Sequence, residues 1–132
     1  ARVGMAFADT AILKYFFVMK PPYNISTINQ DAALERLKDT EETARRVQAI
    51  ISERNKLASR LPSLPLVEKV WPSDSNFLLV RVKDADYVYN ALAGRKIIVR
   101  NRSREIPGCI RITTGTEEEN NKLIKELERI SI

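Results

Sequence analysis

Residues 107–120 read PGCIRITTGTEEEN, and this run decides the fold. Its first half, Cys109 to Thr113, is apolar and β-branched around a single cation, the composition of a strand. Side chains alternate along a strand, so Ile110 and Ile112 share one face and Arg111 points to the other. Thr116 and Glu119 then form a T-x-x-E capping box, which opens a helix. That helix buries Leu123, Ile124, Leu127 and Ile130, which recur at three- and four-residue spacings.

Outward from this run the chain keeps alternating. Asn76 to Val82 (NFLLVRV) is a strand bounded by Ser-Asp-Ser and Lys-Asp. Val67 to Val70 is an edge strand ended by Trp71-Pro72. Ala85 to Ala93 reads as a short helix stopped by Gly94. Lys96 to Val99 reads as another strand, followed by the basic loop Arg100-Asn101-Arg102-Ser103-Arg104. Further upstream a helix covers Asn29 to Lys38. A longer one runs from about Glu41 to Leu61, with Thr40 as its cap and Pro62 and Pro65 ending it. Its Ala44, Val47, Ile51, Leu57, Ala58 and Leu61 fall on one side, while Arg45, Arg46, Glu53 and Arg54 fall largely on the other. The expected fold class is α/β, with long helices packed on one face of a small sheet.

The first segment stands apart. Val3 to Ala8 reads as a short buried strand of small residues. Asp9 or Thr10 then caps a helix containing Ile12, Leu13, Phe16, Phe17 and Met19. Pro21 and Pro22 stop it, and Tyr23 to Thr27 is a polar loop. The loop marks a boundary, with residues 1–25 on one side and 26–132 on the other. An apolar helix with so little polar face either docks on the rest of the chain or meets partners in sequence upstream.

Composition narrows the chemistry. The chain has 132 residues, 44% hydrophobic and 30% charged, which describes a soluble globular domain. No apolar run reaches the roughly 18 residues of a membrane span. The nearest, Ala11 to Met19, is interrupted by Lys14, and no charged-then-apolar leader precedes it. A lone cysteine, Cys109, permits no internal disulfide, which accords with a reducing cytoplasm. It lies in an apolar run and reads as a core residue. Histidine is absent, which removes the usual general base, the commonest metal ligand and the His-activated nucleophiles. The four glycines, Gly4, Gly94, Gly108 and Gly115, make no phosphate loop. The residues alone thus show no metal site and no complete catalytic apparatus. A net charge of +5 points weakly to an anionic partner. A basic module for nucleic acid would need exposed stacking aromatics, and core packing explains most of those present.

Three groups of residues can carry a function. Arg100 and Arg111 are guanidinium forks able to hold a carboxylate or phosphate with two parallel hydrogen bonds. The competing reading of Arg111 is a salt bridge to Glu117, Glu118 or another nearby acid. Arg2 stands before the expected buried strand, where a charge needs a partner, though a terminal residue in solvent fits equally. Tyr23 and Asn24 follow two stiffening prolines, and a plain turn is the simpler account of them.

Taken in order, these features resemble the histidinol-phosphate aminotransferase family along the whole chain. Arg2-Val3-Gly4 is similar to the Arg-x-Gly segment that follows that family's catalytic lysine. Pro21 to Ser26 (PPYNIS) resembles its PPYN-[VI]-S loop, and IIVRNRS at 97–103 its strand ending in Val-Arg. The opening run is similar to its signature G-C-[IL]-R-[IV]-[ST]-x-G-T-x-E-E-N, the most specific of these matches. The resemblance implies the small C-terminal domain of a fold-type I enzyme dependent on pyridoxal phosphate, plus a strand–helix remnant of the large cofactor domain in residues 1–25. It implies that Arg2 binds the cofactor phosphate. Arg111 would bind the carboxylate of glutamate or 2-oxoglutarate and the phosphate of histidinol phosphate, with Arg100 assisting and Tyr23 and Asn24 bordering the site. The Schiff-base lysine would lie upstream of Ala1, so the chain alone is expected to be inert. A cytoplasmic homodimer without membrane or nucleic-acid partners is the implied whole. A threonine-phosphate decarboxylase or an aromatic aminotransferase of the same fold shares the arginine and stays open.

Overall fold

A computed structural model describes residues 3–131. The chain divides into two compact units, Ala1–Arg45 and Arg46–Ile132.

The first unit contains helix α1 (Thr10–Met19), helix α2 (Thr27–Lys38) and the start of α3 (Thr40–Arg60). The Asp9 carboxylate accepts from the Ala11 amide at 2.7 Å and caps α1. The helix ends at Met19 because Lys20, which precedes Pro21, is forced out of the helical region to ψ 125°. Neither α1 nor α2 buries a side chain, and Phe17 on α1 is 70% exposed. The strand expected over Val3 to Ala8 does not form. Those residues carry no ladder and are exposed beyond Val3. Small-residue β propensity builds a strand only beside another strand, and none lies alongside among the described residues. Two caps also differ from expectation. Ser26 caps α2, which therefore starts two residues before Asn29. At α3 the Asp39 carboxylate accepts from the Glu42 amide at 3.0 Å, so Thr40 is the first helical residue instead of the cap.

The second unit is an α/β layer. Helix α3 runs out through a 3-10 turn at Leu61–Ser63 into strand β1 (Val67–Val70), then β2 (Phe77–Val82), helix α4 (Ala85–Gly94), β3 (Arg100–Asn101), β4 (Cys109–Thr113) and helix α5 (Glu117–Glu128). The four strands form an antiparallel sheet in the order β1-β2-β4-β3. Leu78, Val80 and Val82 of β2 and Ile110 and Ile112 of β4 share one face. That face packs against Leu57 and Leu61, Val88 and Leu92, and Leu123, Ile124 and Leu127, all nearly or fully buried. Helices thus cover one face of the sheet, as the alternation requires.

One strand lies elsewhere than expected. Residues 96–99 are not a strand; β3 is the two-residue Arg100–Asn101. The reason is the way α4 stops. Lys96 takes a left-handed conformation (φ 61°), the Lys96 amide donates to the Ala93 carbonyl, and the Ile97 amide reaches back to Leu92. This Schellman closure occupies the amides through Ile97, so the chain pairs with β4 only from Arg100. Gly94 is the last helical residue, and the left-handed position falls two residues later, on a lysine. Gly108, at φ 72°, does occupy a position that favours glycine, turning the chain into β4.

Candidate anion-binding site

The register of the sheet fixes what stands beside Arg111. It lies opposite Leu79 on β2 and opposite Arg100 on β3. Directly opposite residues point to the same face, with Cβ atoms about 5 Å apart. Arg100 and Arg111 therefore form a like-charge pair on the face away from the core. Asn101, one residue on, pairs with Ile110 and turns the other way, where its amide donates to Asp86 of α4. A second like-charge pair, Lys69 opposite Arg81, lies on the same outer face. Like charges placed opposite are destabilising unless something negative sits between them.

No acid among the described residues does so. Among the described residues no ion pair reaches Lys69, Arg81, Arg100 or Arg111. The salt bridge from Arg111 to Glu117 or Glu118 is absent; Glu117 faces Lys56 instead, at 3.6 Å. Aromatic rings stand where acids would. The Arg111 guanidinium carbon lies 4.9 Å from the centroid of Phe77, and Lys69 and Arg81 both lie over Trp71. Arg111 is half-buried, and its Nε is fully covered with no hydrogen-bond partner. A covered, unpaired N–H of a cation is costly.

The turn that carries the chain from β4 into α5 is braced from within. The Asn120 side chain, buried at 4% exposure, accepts from the Gly115 amide at 3.0 Å and donates to the Gly115 carbonyl at 3.2 Å. Its amide also donates to Glu53 of α3 at 2.9 Å. Thr116 and Glu119 complete the capping box reciprocally. A Cβ at Gly115 would meet the Glu119 carboxylate at 2.6 Å. The Glu119 carboxyl is held below its ordinary pKa by the Thr116 backbone amide. Glu53 is lowered by its bonds from Lys56 and then Asn120, and Lys56 is raised chiefly by Glu53. Gly115, Thr116, Glu119 and Asn120 of the GTEEEN run are thus committed to holding the turn.

The remaining candidates are less gathered. Tyr23 and Asn24 lie in the first unit, in the turn between α1 and α2. Tyr23 is fully exposed at φ 58°. Arg2 lies outside the described residues. Arg102 pairs with Glu105 at 3.3 Å, and Arg104 is exposed. Cys109 is buried, with its thiol 3.6 Å from the Pro107 carbonyl. No cluster of metal-ligating side chains occurs among the described residues, and no helix there is long and apolar enough to cross a membrane. Sequence reasoning missed Phe77 and Asn120. Asn120 did leave a signal: with Leu123, Ile124 and Leu127 it occupies the buried stripe of α5. Phe77 left none, since only the pairing register sets it beside Arg111.

The helix-covered antiparallel sheet is a fold shared with solved proteins. The solved histidinol-phosphate aminotransferase from Clostridium acetobutylicum matches 90% of this chain with a TM-score of 0.82 at 23% identity, over 37% of its own length. L-threonine-O-3-phosphate decarboxylase from Porphyromonas gingivalis matches 92% of the chain with a TM-score of 0.71 at 25% identity, over 39% of its length. The family model for aminotransferase class I and II matches residues 1–127, and the chain belongs to that family. More particularly, it is 43% identical over 131 residues to histidinol-phosphate aminotransferase of Flavobacterium psychrophilum, covering 98% of this chain. The chain spans 38% of the length of that relative.

Proposed function

We propose that this chain is the C-terminal part of a transaminase dependent on pyridoxal phosphate, one that exchanges an amino group between histidinol phosphate and 2-oxoglutarate or glutamate in histidine biosynthesis. The observation that carries the proposal is the Arg100–Arg111 pair, opposed across β3 and β4 with no acid among the described residues to neutralise it. A transaminase alternates between two substrates in one site. Here one ends in a carboxylate and the other in a phosphate. A guanidinium fork accepts either with two parallel charge-assisted bonds. Arg111 binds and orients that end, and Arg100 adds the second positive charge that a phosphate dianion requires.

The two guanidinium groups fit a substrate's anionic end, and no described side chain is committed to the cofactor. Arg2, assigned by resemblance to the cofactor phosphate, lies outside the described residues. Pyridoxal phosphate supplies the electron sink when bound. In this reading residues 1–25 close the large cofactor domain and 26–132 form the small domain. Tyr23 and Asn24 border the site, and the covalent lysine precedes Ala1. The whole enzyme is a cytoplasmic homodimer, and this chain alone does not transaminate.

In the complete enzyme, Arg111→Met removes a bidentate contact of about 3 kcal/mol or more, which is more than about a hundredfold in kcat/KM. The loss is expected with glutamate and with histidinol phosphate alike. A variant impaired with only one of them would sink the shared-arginine reading. A decarboxylase acting on threonine phosphate is the second reading. The structural likeness to the Porphyromonas gingivalis enzyme favours it, and the arginine pair would serve that substrate equally. Release of carbon dioxide from threonine phosphate by the complete enzyme, without amino transfer, would decide for it.

A further inference from the structure

We propose that Phe77 is the positioning residue for Arg111, holding its guanidinium by the face of a ring where a carboxylate would otherwise hold it. The inference rests on the anion-binding reading and adds to it how the arginine is kept both aligned and available.

Phe77 opens β2 and pairs with Thr113, two residues from Arg111 and on the same face. At that diagonal offset a long side chain reaches an aromatic neighbour. The guanidinium carbon sits 4.9 Å from the ring centroid. No hydrogen bond or ion pair to Arg111 occurs among the described residues, and its buried Nε is unpaired. Among the described residues the ring is therefore the one directional contact on the charged group. The alternative holder, a glutamate or aspartate, would fix the plane as well. It would also cancel the charge and occupy the fork, and each incoming anion would have to displace it. A π face attracts the cation without taking up its N–H groups in charged hydrogen bonds. One neutral holder thus suits a site that must take a carboxylate and a phosphate in turn.

The test uses the 132-residue chain and inorganic phosphate, followed by nuclear magnetic resonance of the Arg111 Nε–Hε group at constant ionic strength. The resonance is assigned with Arg111→Lys. In the wild type, Hε is expected to show a nuclear Overhauser contact to the Phe77 ring and to shift on phosphate addition. Phe77→Leu is expected to weaken phosphate binding about threefold to tenfold. Phe77→Tyr, which keeps the ring, is expected to bind as the wild type does. In the complete enzyme Phe77→Leu should raise KM for both substrates with little change in kcat.

If folded Phe77→Leu binds phosphate as tightly as the wild type, the positioning role is overturned while Arg111 remains an anion site. If phosphate leaves the wild-type Arg111 resonance unmoved, the anion-binding reading falls and this inference falls with it. If Phe77→Leu does not fold, the wild-type Overhauser contact and Phe77→Tyr decide. A missing contact, or weakened binding in the tyrosine variant, overturns the proposal.

Discussion

The two faces of strands β2 and β4 lie one side chain apart and follow opposite rules. On the inner face Leu78, Val80, Val82, Ile110 and Ile112 are all but fully buried within one apolar cluster. On the outer face Phe77, Leu79, Arg81 and Arg111 are at most half-buried, and cations stand opposite cations. The inner face is where the free energy of folding comes from. The outer face spends some of it, since like charges in register repel. On the proposed reading, two guanidinium groups left unpaired on this face suit an anion that comes from outside the chain. Strand alternation lets one five-residue segment, Cys109–Thr113, serve both ends without compromise.

The sharpest way to break this comparison is to truncate one aliphatic side chain on each face. Ile110→Ala empties a fully buried site and should cost about 2–5 kcal/mol. Leu79→Ala, one position from Ile110's partner Val80 and on the outer face, should cost less than about 1 kcal/mol, because Leu79 is only half-buried and its surroundings can relax. Urea midpoints of the two variants at equal m-value measure the difference. Equal losses would mean that the outer face is packed like a core and is not an open binding surface.

How much of this was legible beforehand differs between the faces. Strands β1 and β4 and the capping box at Thr116 and Glu119 follow from residue type and short-range spacing, and the structure has them at the expected positions. The outward direction of Arg111 follows from alternation alone. Its neighbours do not, because register is a property of two strands and no single segment encodes it. Expecting β3 at residues 96–99 would have left Arg100 as a loop residue. The Schellman closure at Lys96 delays pairing until Arg100, and that delay is what sets it opposite Arg111. The resemblance named both arginines without that geometry. Its most specific match was the run 107–120, which includes GTEEEN. The structure shows four of those residues occupied with the turn, so they report how Arg111's strand is anchored and not which substrate arrives.

The anchor yields the next prediction. Asn120 sits at the seam between the faces, satisfying both polar groups of Gly115 and one oxygen of Glu53. Asn120→Ala leaves the Gly115 amide and carbonyl without those partners and should cost about 1–3 kcal/mol. The loss should be local first. Hydrogen exchange at Gly115 and Thr116 should accelerate well before that at Val80 or Ile110, whose amides are secured by the sheet. Uniform acceleration through both regions would instead make Asn120 part of the general core.

The smallest expected effect concerns charge at the same turn, and its sign is fixed by linkage. Glu119 and Glu53 have folded-state pKa values below their ordinary ones, so each binds its proton less readily folded than unfolded. Their contribution is complete above the unfolded glutamate value of about 4.3 and is lost as pH falls through the lower, folded value. Thermal midpoints should therefore decline on acidification below about pH 4. Glu119→Gln separates charge from geometry, because glutamine at the same position still completes a capping box. The variant should melt a little below the wild type at pH 7, where the ionised carboxylate accepts the Thr116 amide and meets the positive end of α5. The two should converge as pH falls through the lowered folded-state value, where the wild-type carboxylate takes up its proton as well. A gap that stays undiminished down to the acid limit of the folded state would assign Glu119's role to shape alone. The turn that anchors Arg111's strand would then hold its geometry at any protonation state of that carboxylate.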